Sequence, residues 1–137
     1  GRRTYEIFAS YWPLQGSEEP INQARKYVVS SEAIQTDWEE TIQIGGDAAA
    51  EIEKLKQQDG PMLQVHGSSN LIQTLLANDL VDELWLKIFP VALGKGKRLF
   101  GEGTIPAAFK LTESKATPSG VIVASYKREG EVRLGSF

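Results

Sequence analysis

Hydrophobic side chains recur along the chain with two different spacings, and each spacing predicts a different element. Tyr5, Phe8 and Trp12 lie three and four residues apart, as on one face of a helix. Between residues 81 and 89 apolar residues instead alternate with others, which is typical of a strand. The predicted helices span residues 4–12, 48–58 and 71–76, and the predicted strands span residues 26–30, 38–44, 62–66, 81–89, 109–116 and 121–126.

The order of these elements indicates the fold class. Helices and strands alternate up to residue 89, and a β-hairpin with its turn at residues 118–120 follows. This order is typical of an α/β fold whose sheet is parallel in its middle and antiparallel at one edge. Residues 14–22 contain Gly16 and Pro20 and are predicted to be a loop. Because no linker-like tract divides the chain, we expect one domain over residues 1–137.

Composition and charge exclude several classes of function. The chain has no cysteine, which excludes disulfide scaffolds, thiolate metal sites and thiol nucleophiles and favours a reducing, cytoplasmic location. The net charge is −3, and the densest basic cluster, Lys95, Lys97 and Arg98, is too small to indicate a nucleic-acid partner. No apolar run approaches the ~20 residues that a membrane-spanning helix needs, so we expect no membrane partner.

A glycine–serine turn, Gly67-Ser68-Ser69-Asn70, lies between the predicted strand 62–66 and the helix that follows it. A helix start offers unpaired N–H groups and about half a positive charge. Glycine lets a phosphate approach the backbone, and serine adds hydroxyl donors. The turn is therefore a candidate phosphate site. The alternative is that Ser68 or Ser69 only caps the helix and Gly67 only serves the turn.

Two further segments contain candidate phosphate ligands. The segment Gly1-Arg-Arg-Thr4 places a glycine and two guanidinium groups at the start of a helix, where they suit bidentate phosphate contacts. Solvated arginines at a frayed terminus are the alternative. Ser30 and Ser31 follow a strand, which is where α/β sheets place ligands. Taken alone, serines in this position usually just begin a loop.

The sequence offers no recognisable acid, base or nucleophile. His66 is the only histidine, and its place in a predicted strand favours a structural role. No nucleophile elbow or histidine-based metal spacing occurs, so no metal site is expected. Carboxylates adjacent in sequence point apart and form no acid/base pair: Glu18-Glu19, Glu39-Glu40 and Asp82-Glu83. Such a domain suits an enzyme whose cofactor carries the chemistry, as nicotinamide does for hydride transfer.

The same segments resemble a known family. Over essentially the whole chain they resemble the dihydrofolate-reductase-like fold, and within it the C-terminal reductase domain of the bifunctional riboflavin-biosynthesis deaminase-reductase and its stand-alone relatives. The segments that carry the resemblance are Gly1-Arg-Arg-Thr-Tyr-Glu6, Lys26-Tyr-Val-Val-Ser-Ser31, Val65-His-Gly-Ser-Ser-Asn-Leu71, Asp79-Leu-Val-Asp-Glu-Leu84, Phe89-Pro-Val-Ala-Leu-Gly-Lys-Gly96, Arg98-Leu-Phe100 and Pro118-Ser-Gly-Val121.

The resemblance implies a mixed central sheet flanked by helices, and an NADPH-dependent reductase that forms a homodimer. The implied substrate is a small pterin-like or ribosylaminopyrimidine-like molecule, as in riboflavin or folate metabolism. The resemblance names no catalytic residue in this chain. The implied ligands are Gly1, Arg2, Arg3, Thr4, Gly67, Ser68, Ser69, Asn70 and Leu71 for the cofactor phosphates, and Ser30 and Ser31 for the adenosine 2′-phosphate. Trp12, Pro90 and Gly94 are further candidates for the substrate side, and a structural role is the alternative for each.

The chain departs from the family pattern in two places. Dihydrofolate reductases usually have paired glycines where this chain has Gly67-Ser68, and serine adopts a positive φ less freely than glycine. Family members also have a strand and a helix before the Gly-Arg-x-Thr motif, so we expect an N-terminal part to be missing. An isolated chain would then expose unpaired strand edges and be unstable or aggregate.

The residues alone leave two questions open, the activity of the chain and the choice of nucleotide. The alternative to a reductase is a catalytically inactive nucleotide-binding or assembly module with the same fold. No arginine is fixed by the sequence beside Ser30 and Ser31, so NADH is not separated from NADPH.

Overall fold

The computed structural model describes residues 1–35 and 37–135, in two compact units, Gly1–Thr74 and Leu75–Phe137. The α/β class is confirmed, because helices occur together with parallel and antiparallel strand pairing. One domain over residues 1–137 stays a prediction. The elements are α1 (Arg2–Ala9), a 3-10 turn (Trp12–Gln15), α2 (Pro20–Gln23), β1 (Lys26–Val29), β2 (Thr41–Ile44), α3 (Ala48–Lys56), α4 (Ser69–Ala77), β3 (Glu83–Ile88), β4 (Phe109–Ala116) and β5 (Ile122–Arg128).

The first unit is built on a parallel pair of strands, β1 and β2. Its core holds the buried side chains of Tyr5, Val28 and Trp38. Trp38 lies in the crossover between the strands and stacks on Tyr5 of α1, with 5.9 Å between the ring centroids. The Trp38 indole N–H donates to Asn22 Oδ1 at 2.9 Å, and the Tyr5 hydroxyl donates to the Gln35 carbonyl at 3.1 Å. These contacts fix α1 and the crossover loop on the strand pair.

The helices begin and end for identifiable reasons. α3 begins directly after Asp47, whose carboxylate accepts hydrogen bonds from the N–H groups of Ala49 and Ala50. α1 is shorter than the predicted span 4–12 and ends at Ala9. Continuing it would bring the ring of Pro13 against the carbonyl of Ala9, four residues earlier, so the chain tightens into the 3-10 turn.

Two of the predicted elements in the first unit are wrong. The predicted loop 14–22 contains the start of α2, which begins with Pro20 at its first position, where proline's missing N–H is harmless. The predicted strand 62–66 is not a strand, because no strand among the described residues pairs with it. Its apolar side chains are exposed, Met62 to 59% and Val65 to 43%. Alternating hydrophobicity indicates a strand only where a neighbour completes the ladder.

The second unit contains a three-stranded antiparallel sheet in the order β3-β5-β4. The predicted hairpin is confirmed: the Gly120 N–H donates to the Thr117 carbonyl at 2.9 Å between β4 and β5. Gly120 has φ +83°, a left-handed value that a side chain would strain. Leu84 and Ala124 are buried on one face of the sheet, whereas Trp85 is 60% exposed on the other.

Across the two described stretches of chain, no helix combines the length and the apolar character that crossing a membrane requires.

Candidate functional site

The start of α1 is open to a ligand. Gly1 occupies its N-cap position and has no side chain with which to cap the helix. The first bond of the helix runs from the Tyr5 N–H to the Gly1 carbonyl at 3.2 Å. The N–H groups of the preceding residues 2–4 therefore have no acceptor within the helix. Together with the helix dipole, they form an electropositive end that suits an anion.

The turn before α4 has an unusual backbone. Gly67 has φ +57° and Ser68 φ +55°, so two successive residues lie in the left-handed region. Serine adopts a positive φ less freely than glycine, but contacts of the Ser68 side chain hold it in this conformation. Its Oγ accepts a hydrogen bond from the Gly1 nitrogen at 3.1 Å and lies 3.1 Å from Thr4 Oγ1. Strain of this kind persists where surrounding contacts determine the conformation, and it is common at ligand sites.

The two helix starts meet at Ser68. A Cβ added at Gly1 would lie 3.7 Å from Ser68 Oγ, and one added at Gly67 would lie 3.9 Å from Thr4 Oγ1. Thr4 and Ser68 supply hydroxyls, and the first turns of α1 and α4 supply N–H groups. The chemistry of this donor set fits the pyrophosphate of a dinucleotide.

The strand-end serines have different environments. The Ser30 N–H donates to the Ile44 carbonyl at 3.0 Å and continues the β1–β2 pairing. Ser30 is buried, and its hydroxyl bonds both to the Glu32 carbonyl at 2.7 Å and to the Glu32 N–H at 3.2 Å. Ser31 is exposed and has no hydrogen bond among the described residues. Ser30 therefore shapes the turn, and the hydroxyl that is available to a ligand is that of Ser31.

An ion pair joins the strand end to the start of α1. Arg2 Nη1 donates to Glu32 Oε2 at 2.7 Å. This places an arginine against Glu32, the residue that follows Ser30 and Ser31, which the sequence had not indicated. The two partners are thirty residues apart and follow no motif, so only the packing of α1 on the strand pair reveals them. Arg3 is exposed and forms no ion pair within residues 1–35 and 37–135.

The other predicted ligands lie in different surroundings. Asn70 is exposed and Leu71 half-buried in the first turn of α4, and Ser69 is its first residue. Trp12 packs against the aromatic core of the first unit, 6.4 Å from Phe8 between ring centroids. The two remaining predicted ligands, Pro90 and Gly94, are exposed in the loop after β3 of the second unit. All of these ligand roles stay predictions.

The structure identifies no catalytic side chain. His66 lies beside Phe8, with 6.2 Å between ring centroids, and its carbonyl lies 3.3 Å from Ser68 Oγ. The described part of the chain contains no group of three or more histidines and carboxylates that could hold a metal ion. The N–H groups and hydroxyls at the two helix starts are donors that suit an anion.

The chain is similar to several known proteins. Residues 1–123 match the sequence profile of the RibD C-terminal domain. The chain is 30% identical over 139 residues to the uncharacterized protein YyaP of Bacillus subtilis (strain 168), covering 95% of this chain and 72% of that protein. It is 29% identical over 115 residues to the uncharacterized protein YwjB of the same organism, covering 84% and 64%.

Among solved structures, a Shewanella sp. PV-4 protein, named as a candidate riboflavin biosynthesis protein, has the same fold. The TM-score is 0.70 at 24% sequence identity, and the match covers 94% of this chain and 71% of that one. The chain thus spans about two thirds of the length of its curated relatives.

Proposed function

The chain belongs to the RibD C-terminal domain family, whose members are reductase-like, and from this membership we propose that it is an NADPH-dependent reductase. The substrate would be a small pterin-like or ribosylaminopyrimidine-like molecule. The family is associated with NADPH-binding reductase domains, which favours this cofactor. The homodimer stays a prediction.

One observation supports the proposal most strongly: the starts of α1 and α4 meet at Ser68. A single helix start is common in proteins and would carry little weight. Here two starts converge, Thr4 and Ser68 lie 3.1 Å apart, and Gly1 and Gly67 leave the backbone uncovered. Converging N–H groups and hydroxyls are suited to the two phosphates that link the halves of a dinucleotide.

Each group of residues has a separate part in the proposal. Residues 1–4 and 67–71 bind the pyrophosphate through N–H groups and hydroxyls. Ser31 and Arg2 face the adenosine 2′-phosphate, and Ser30 holds the turn that presents them. When bound, the nicotinamide supplies the hydride.

The experiment is a titration of the protein with NADPH, followed by the fluorescence of Trp12, Trp38 and Trp85. We expect saturable binding in the wild type. Thr4→Val removes one hydroxyl at constant shape and should weaken NADPH binding roughly fivefold to tenfold. Thr112→Val is the matched control, because the Thr112 hydroxyl bonds to the Ser125 carbonyl in the second unit. Its NADPH affinity should equal that of the wild type.

Turnover is measured next, as NADPH oxidation with dihydropterin and ribosylaminopyrimidine substrates. Oxidation that depends on one of these substrates supports the reductase. Tight NADPH binding without oxidation of any of them would favour a nucleotide-binding module instead. Absence of NADPH binding would overturn the proposal altogether.

A further inference from the structure

We propose that Glu32 sets the preference of this site between NADPH and NADH, acting against the 2′-phosphate; the inference rests on the proposed function. Glu32 directly follows the strand-end serines, and its carboxylate pairs with Arg2, the nearest guanidinium. Neither the family resemblance nor the sequence pattern assigns this residue a role. Three features of its surroundings support the role: a fixed backbone, a weak ion pair and an excess of negative charge.

The backbone of Glu32 is held from two sides. Ser30 Oγ donates to its carbonyl at 2.7 Å and accepts from its N–H at 3.2 Å. The side-chain amide of Gln43, on β2, donates to the same carbonyl at 2.7 Å. The Gln43 amide also bonds to the Ser30 carbonyl at 3.0 Å, so the turn is tied to both strands. The carboxylate therefore starts from a defined position.

The ion pair of Glu32 is short but accessible. Arg2 Nη1 lies 2.7 Å from Glu32 Oε2, with side chains 41% and 68% exposed. Exposed pairs contribute little to stability because water screens them, so an incoming phosphate can take over the guanidinium. Glu32 thus competes with a bound 2′-phosphate for Arg2 rather than locking Arg2 away.

The charge around Arg2 is unfavourable for a further anion. Glu6, one helical turn along α1, lies 3.7 Å from Arg2 Nε, so two carboxylates surround one guanidinium. A phosphate dianion that contacts Arg2 must approach Glu32 as well, and the like charges repel. NADH carries a 2′-hydroxyl instead, which can donate a hydrogen bond to a carboxylate, as acidic residues accept from the ribose in other dinucleotide-binding folds. Glu32 therefore lowers the preference for NADPH.

The test compares dissociation constants of NADPH and NADH, measured by tryptophan fluorescence without substrate. Glu32→Gln removes the charge and keeps the shape. It should tighten NADPH binding roughly fivefold to tenfold, as expected for removing one charge near a phosphate dianion. NADH binding should stay equal or weaken. Glu32→Asp keeps the charge and should retain the wild-type NADPH/NADH affinity ratio within about threefold.

Two further variants separate this role from a general one. Glu40→Gln is the matched control, because Glu40 forms a similar exposed pair with Arg25 at the opposite end of β1, with 3.4 Å between Arg25 Nε and Glu40 Oε2. It should leave both affinities unchanged. Arg2→Gln should weaken NADPH binding. When Glu32→Gln is added to Arg2→Gln, the second change should tighten NADPH binding by less than about threefold. A purely structural role for Glu32 would shift both nucleotides and the melting temperature together.

The outcomes distinguish this inference from the proposed function. If the wild type binds neither nucleotide, the proposed function fails and this inference fails with it. If the wild type binds both, and Glu32→Gln leaves the affinity ratio unchanged or moves it towards NADH, the role of Glu32 is refuted. The proposed function then still stands.

Discussion

α1 and α3 belong to the same unit and have similar lengths, eight and nine residues, but their first turns differ. At α3 the Asp47 carboxylate accepts from the N–H groups of Ala49 at 3.1 Å and Ala50 at 3.2 Å. At α1 the corresponding position is Gly1, which offers no side-chain acceptor. The start of α3 is capped by a side chain, whereas Gly1 leaves the start of α1 without a side-chain cap.

The difference between the starts of α1 and α3 affects the stability of the two helices. A side-chain cap stabilises a helix by about 1 kcal/mol, and a carboxylate also neutralises the positive end of the dipole. The α1 start forgoes both contributions. It lies instead against the left-handed Ser68, the start of α4 and the Arg2–Glu32 pair. An uncapped helix start surrounded by other donors is what the proposed nucleotide site requires.

The largest effect is expected from making the start of α1 resemble that of α3. Gly1→Asp supplies a carboxylate cap, and its Cβ would be in ordinary contact with Ser68, at 3.7 Å. The carboxylate should occupy the free N–H groups and repel phosphate. We expect NADPH binding to weaken on the order of tenfold to a hundredfold. The free energy of unfolding should rise by up to about 1 kcal/mol.

Gly60→Asp is the matched control for this change. Gly60 is exposed, has nothing within 4 Å of an added Cβ and adopts no positive φ. The variant adds the same charge to the first unit and should bind NADPH like the wild type. Unchanged NADPH affinity in Gly1→Asp, measured by the same titration, would contradict the idea that the α1 start is the open one.

An intermediate effect is expected at Ser68. Ser68→Ala removes the hydroxyl but keeps the left-handed strain, and it should lower the free energy of unfolding by about 1–2 kcal/mol. Ser68→Gly also removes the hydroxyl but relieves the strain, so its stability should stay within about 1 kcal/mol of the wild type. NADPH binding should weaken roughly fivefold to tenfold in both. Chemical denaturation and nucleotide titration separate the two effects. Wild-type affinity in both variants would exclude the hydroxyl from the site.

The smallest effect on binding is expected at the closed helix start. Asp47→Ala removes the cap of α3 and should lower the free energy of unfolding by about 1 kcal/mol. NADPH affinity should not change, because the Asp47 carboxylate bonds to the N–H groups of its own helix start. If Asp47→Ala tightened NADPH binding, α3 would be a second open site, and the contrast with α1 would be lost.

Local patterns predicted most of the elements. The helices α3 and α4 and the β4–β5 hairpin each depend on residues close in sequence, and each is found near its predicted place. The strand 62–66 was wrong because a strand depends on a partner that its own residues do not specify. The start of α2 within the predicted loop was missed because it is only four residues long.

The candidate site could be predicted only in parts. Each segment showed its own signal: glycine at a helix start, or serines at a strand end. The contact between these segments could not be predicted, because Gly1 and Ser68 are 67 residues apart in sequence and are brought together by tertiary packing. The Arg2–Glu32 pair had no signal in the sequence for the same reason. The left-handed conformation of Ser68 is one that serine disfavours. Departures of this kind from local propensity often occur at functional sites.

The most direct test of the account is the chemical-shift response of the backbone amides to NADPH. We predict that the amides of residues 2–4 and 69–71 shift on saturation, because they lie in the first turns of α1 and α4. The amides of Ala49 and Ala50, already bonded to Asp47, should not respond. Shifts at Ala49 and Ala50 with none at residues 2–4 and 69–71 would contradict the account.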